Sequence, residues 1–157
     1  MAETNHILSG LVTINDTDIW DTYGVFLAEE RRGGMENLKA IMMPSRMKQH
    51  TGVDIREEDG KRYSECLTVA NEERDVTLCF ALYAASKSEW MQNYADFIQM
   101  LKEGDDGWLD LYFADLDLTL HVFFVECSEF KPLTYLWKEG VQASRFKVKF
   151  REPEPSF

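Results

Sequence analysis

Long apolar runs are missing from these 157 residues, cysteine and proline are scarce, and basic residues are outnumbered. Nowhere do about 18 uncharged apolar residues run together, which excludes a membrane-spanning helix. The opening residues MAETNHILSG lack the basic start and apolar stretch of a secretory signal, so folding in a reducing cytoplasm is expected. Cys66, Cys79 and Cys127 are odd in number, widely spaced and without a CxxC, which excludes a disulfide framework; all three read as small apolar fillers. With 17 Lys+Arg against 28 Asp+Glu, the net charge of −11 excludes a phosphate backbone or an anionic membrane as the main partner.

What the chain does have is hydrophobic mass, at 45% hydrophobic and 13% aromatic residues. A chain of this length removes roughly 68–70% of its unfolded surface from water, so residues 1–157 are expected to form a single domain without metal or disulfide. Leu8–Ile14 and Trp20–Leu27, separated by the turn-forming Asn15-Asp16, read as a hairpin. Asp75–Ala84 alternates with period two and is apolar on both faces, which predicts a strand covered on both sides. Lys87 to about Lys102 is a helix: Ser86 and Glu89 form a capping box, and Trp90, Tyr94, Phe97, Ile98 and Leu101 make one apolar stripe ahead of Gly104.

Alternation resumes in Leu109–Phe113 and Leu116–Phe124 around Asp115, a second hairpin. Phe130–Trp137, broken by Pro132, suits an edge. Val141–Phe150 turns Phe146, Val148 and Phe150 inward and Arg145, Lys147, Lys149 and Arg151 outward, and the proline-rich tail ends the sheet. The predicted fold class is mainly β (α+β): an antiparallel sandwich or barrel of about seven or eight strands with one helix packed on it.

No constellation points to catalysis, a cofactor or a metal. His6, His50 and His121 are scattered without ligand spacing, and His121 reads as packed or pore-facing. The acidic cluster from Glu103 to Asp117 does not match a calcium loop and reads as a solvated turn. Ser9-Gly10 is no nucleophile elbow, and Glu126 and Glu129 beside Cys127 disfavour a thiolate.

Two features point to assembly. The polar connector at about 29–74 is too long for an ordinary loop, yet it carries spaced apolar anchors, as an arm folding against a neighbour would. The stripe Arg145–Arg151 either binds phosphate or an acidic neighbour, another copy included, or guards a sheet edge. The candidate assembly contacts are Arg31, Arg32, Leu38, Ile41, Met42, Met47, Arg145, Lys147, Lys149 and Arg151. A monomeric β-barrel binding a small apolar ligand is the alternative, its cavity lined by the abundant aromatics.

The order of features resembles a known family. TINDTDIWDTYGVFL (Thr13–Leu27), with its Tyr23-Gly24, then the long connector, DVTLCF (Asp75–Phe80), a helix, a hairpin and a closing FKVKFREP (Phe146–Pro153) resemble tail proteins of long-tailed bacteriophages. The comparison is with the first domain of distal tail proteins, whose fold is shared by tail-tube proteins and the tube of type VI secretion. The resemblance covers most of the chain. It implies a non-enzymatic virion component, assembled in the host cytoplasm into a ring, usually a hexamer, that grips other tail proteins. An acidic channel would keep passing DNA from sticking. Distal tail proteins often carry a second, carbohydrate-binding-like domain that these residues do not include, so no receptor role carries over.

Overall fold

The computed structural model describes residues 9–31, 33–134 and 140–157. Nine strands occur among them: β1 (Val12–Ile14), β2 (Thr17–Asp18), β3 (Val25–Leu27), β4 (Val53–Asp54), β5 (Lys61–Arg62), β6 (Arg74–Ala84), β7 (Trp108–Phe113), β8 (Leu118–Pro132) and β9 (Gln142–Glu152). Three helices accompany them: α1 (Ile19–Tyr23), α2 (Glu36–Met42) and α3 (Lys87–Glu103). Seven strands form one sheet in the order β2-β1-β7-β8-β9-β6-β3, and β4 and β5 pair apart from it. Every pairing is antiparallel. The architecture is mainly β, as the alternation predicts.

The sheet cannot be flat. Seven strands at about 4.8 Å spacing would span roughly 29 Å, yet only residues 19–24 connect β2 at one edge to β3 at the other. The five residues of α1 rise only about 7.5 Å, so the sheet curls until its two edges face each other across a seam. Asp18 caps α1 by accepting from the Trp20 N–H at 3.0 Å, and Ile19 enters the core. Gly24 ends the helix at φ 70°, where a Cβ would sit 2.5 Å from the Tyr83 carbonyl oxygen, so only glycine fits.

The hollow of the curl is filled. Ser86 accepts from the Glu89 N–H at 3.2 Å to start α3, and Trp90, Phe97 and Leu101 are buried beneath it. Phe97 meets Phe80 at 5.7 Å, Phe146 at 6.1 Å and Tyr23 at 5.6 Å, all edge-to-face, an arrangement favoured by the ring quadrupoles. Phe150, Val148, Leu78, Leu109 and Val122 complete this core.

Several sequence expectations need correction. Asn15 and Asp16, at φ 51° and 66°, do close a two-residue hairpin, but its second strand stops at Asp18. The stretch Trp20–Leu27 is instead α1 followed by β3, which pairs with β6. One helix was expected and two short ones accompany it. The β8 strand continues to Pro132 through register shifts between Phe124 and Glu126 and between Ser128 and Lys131, while the rest of the expected Phe130–Trp137 strand, from Tyr135 on, lies outside the described residues. The basic strand β9 lies between β8 and β6, so its cations guard no edge.

Candidate assembly surface

The connector divides into two parts with different fates. Residues 36–42 form α2, whose Asn37 and Ile41 are buried against the sheet. Asn37 acts as a surrogate strand residue where β3 ends. Its side-chain oxygen accepts from the Cys79 N–H at 2.7 Å, and its amide donates to the carbonyls of Cys79 at 3.2 Å and Ala28 at 2.7 Å. Ile41, at 2% exposure, is spent in the chain's own core. A two-turn helix with one buried apolar residue has little periodicity to read in the sequence.

From Arg46 to Glu72 the chain is an arm. At its root the Lys48 N–H donates to Ala70 at 2.8 Å and the Glu72 N–H to Arg46 at 2.7 Å, flanking a Met47–Asn71 bridge. Further out β4 and β5 pair Val53 with Arg62 and Asp54 with Lys61, and all four residues are exposed. The Tyr63 ring covers Gly52 so closely that a Cβ there would lie 2.8 Å from it. Met43, Met47, Val53, Tyr63, Leu67 and Val69 stay exposed, Val69 at 76%. Cys66 is exposed on the arm as well, which corrects its reading as a filler; Cys79 is buried and Cys127 half-buried.

Arg74 anchors the arm to the body. Its Nε lies 2.6 Å from Glu152 Oε1, and Nη1 donates to the carbonyls of Ile41 at 2.9 Å and Met43. Its guanidinium also lies over the Phe157 ring at 4.9 Å, and the Phe157 carbonyl accepts from the Ser45 N–H at 3.1 Å. The guanidinium thereby joins the start of β6, the end of β9 and the carbonyl end of α2.

Three of the four cations of the basic stripe are paired with carboxylates within the chain. Arg145 donates to the Glu29 carbonyl at 2.7 Å, Lys147 bridges Glu30 and Glu129 at 2.7 Å each, and Lys149 lies 3.5 Å from Glu126. Arg151 forks onto Asp75 at 2.8 and 3.3 Å. The carboxylates of Glu129 and Glu30 hold the Lys147 ammonium well above its ordinary range, and the Arg151 hydrogen bond holds Asp75 below its own. Lys147, Lys149 and Arg151 are thus balanced by carboxylates of the same chain, whereas Arg145 donates to the neutral carbonyls of Glu29 and Glu30. Of the remaining candidate contacts, Arg31, Leu38, Met42 and Met47 are exposed, and Arg32 lies outside the described residues.

An apolar groove of about 410 Å³ opens at the seam of the curled sheet. Leu11, Val12, Phe113 and Leu116 line one wall, and Val25, Phe26 and Leu27 line the other, with Leu38 and Ile41 of α2 beside them. Leu38 and Leu116 are exposed at its mouth, and Met35 and Met42 extend the patch along α2.

Among the described residues no three His, Cys, Asp or Glu converge as a metal site. His121 Nδ1 lies 2.7 Å from Asp110 Oδ1 and its ring stacks on Trp108 at 4.5 Å, but this pair is well exposed to water. Burial pushes the thiols of Cys79 and Cys127 up, away from nucleophilic thiolate, and pushes the Tyr94 phenol up to about 12. His6 lies outside the described residues. No helix among the described residues is long and apolar enough to cross a membrane.

No protein-family model matches the sequence, and no characterised protein sequence matches it significantly. Among solved structures, SPP1 Dit (gp 19.1), a paradigm of the hub adsorption apparatus in phages infecting Gram-positive bacteria, aligns over 88% of this chain with a TM-score of 0.51. The likeness is one of fold. Sequence identity is 11%, and the alignment covers 48% of the phage protein, so this chain spans about half of that protein's length.

Proposed function

We propose that this protein is a non-enzymatic structural component of a phage or prophage tail that self-assembles into a ring or tube, a hexameric ring being the form expected. The observation that carries the reading is the arm. Its apolar side chains stand in water beyond the root, where they repay none of the roughly 1–2 kcal/mol per residue needed to order the backbone. Contact with a neighbouring subunit would repay it. The fold shared with a phage tail hub protein supports a place in the virion tail beside other tail proteins. The net charge of −11 suits a wall along which DNA slides without adhering.

A monomeric barrel holding a small apolar ligand is less well supported, because aromatic side chains fill the curl. Negative-stain electron microscopy of the purified chain over a concentration series tests the proposal. Closed rings or tubes support it. Particles of monomer size at every concentration, together with a tightly held apolar ligand, would transfer the function to the alternative.

A further inference from the structure

We infer that the seam groove is the receptor for the arm of a second copy, so that subunits join head to tail, arm into groove. The inference rests on the assembly reading above and adds the surface that receives the arm. Among the described residues the groove is lined by apolar side chains, Asn37 and two acidic residues, Glu29 and Asp115, with no cation. Glu29 is partly committed, accepting from the N–H groups of Gly33 and Met35 at 3.1 Å each. Asp115 is exposed at the turn between β7 and β8.

The stem of the arm has the complementary character. Val53, Tyr63, Leu67 and Val69 are exposed on it, and Lys48 and Lys61 stand among them, while Arg62 forks onto Glu58 at 2.6 and 2.7 Å. The tip, Glu57-Glu58-Asp59, is acidic and would be repelled by Asp115, so the stem and not the tip is the part that docks. Each chain has one arm and one groove at different places on its surface. Such an interface is heterologous: it closes into a ring or runs on as a filament, whereas two arms pairing with each other would stop at a dimer.

Complementation tests this directly. A groove variant, Leu38→Asp with Leu116→Asp, keeps its arm; an arm variant, Val53→Asp with Val69→Asp, keeps its groove. All four positions are exposed, so both variants should melt as the intact chain does. In light scattering each variant alone is expected to be monomeric, and an equimolar mixture to give a heterodimer that grows no further. Asp115→Lys, a single change at an exposed turn, should weaken assembly of the intact chain several-fold, most strongly at low salt. A groove variant that assembles like the intact chain, or a mixture that stays monomeric, overturns arm-into-groove docking while leaving self-assembly through another surface standing. An intact chain that is monomeric at every concentration overturns both.

Discussion

Arg74 and Glu152 are cross-strand partners on β6 and β9, their side chains 2.6 Å apart and both buried. Arg74 also opens β6 two residues after the arm ends at Glu72, so the ion pair that ends the sheet fixes where the arm leaves the body. Replacing Arg74 with alanine strands the Glu152 carboxylate and leaves the Ile41 and Met43 carbonyls without their donor. The expected loss is roughly 3–5 kcal/mol, read from the urea midpoint. Arg74→Lys should recover only part of it, since one ammonium cannot reproduce the planar fork that reaches both the carboxylate and the end of α2. A loss within measurement error would mean that the arm root is held by other contacts.

Asn37 offers a sharper chemical distinction. Its side chain both accepts from Cys79 N–H and donates to two carbonyls, a combination that aspartate cannot supply. Asn37→Asp should therefore destabilise the protein at neutral pH by at least as much as Asn37→Ala. The alanine variant itself should cost about 1–3 kcal/mol for each buried group left unsatisfied. Chemical denaturation of the two variants side by side checks the order.

Phe97 sits among Phe80, Phe146 and Tyr23 with no exposed surface. Phe97→Ala is expected to cost roughly 3–5 kcal/mol, and a loss below about 1 kcal/mol would contradict the packing of α3 on the sheet.

These core elements were readable because their signals are local. The period-two alternation of β6 and β9, and the Trp90–Leu101 stripe behind the Ser86 cap, need only neighbouring residues to be recognised. Asn37 and Ile41 were not readable in the same way. Their burial depends on Cys79 and Arg74, more than thirty positions away, and α2 is only seven residues long. The neutralisation of Lys147, Lys149 and Arg151 was hidden for the same reason, their carboxylates coming from Glu30, Asp75, Glu126 and Glu129. The connector was legible as a polar segment with apolar anchors, and its exposed part is closed at Arg46 and Glu72 rather than at residue 29.

The acid limb of stability should report the Asp75–Arg151 contact. Asp75 has its carboxyl held below the ordinary value, chiefly by the Arg151 hydrogen bond. The folded state therefore binds this proton less readily than the unfolded one. Its stabilisation is present above the unfolded carboxylate value of about 4 and is lost as pH falls through the lower folded value. Asp75→Asn should flatten the fall in melting temperature over that acid window and leave its dependence on pH between about 6 and 8 unchanged. An acid limb identical to that of the intact chain would show that the pair contributes nothing there.

The central claim is that the arm makes the assembly while the remaining chain makes the fold. Residues 49–69 can be removed and Lys48 joined to Ala70, its hydrogen-bond partner at 2.8 Å, through an Asn-Gly turn. Light scattering after size exclusion, run on the intact and shortened chains across the same concentrations, is the measurement. The account predicts an oligomer of the intact chain and a shortened chain that is monomeric with an unchanged melting temperature. A shortened chain that still assembles, or an intact chain that never does, would contradict it.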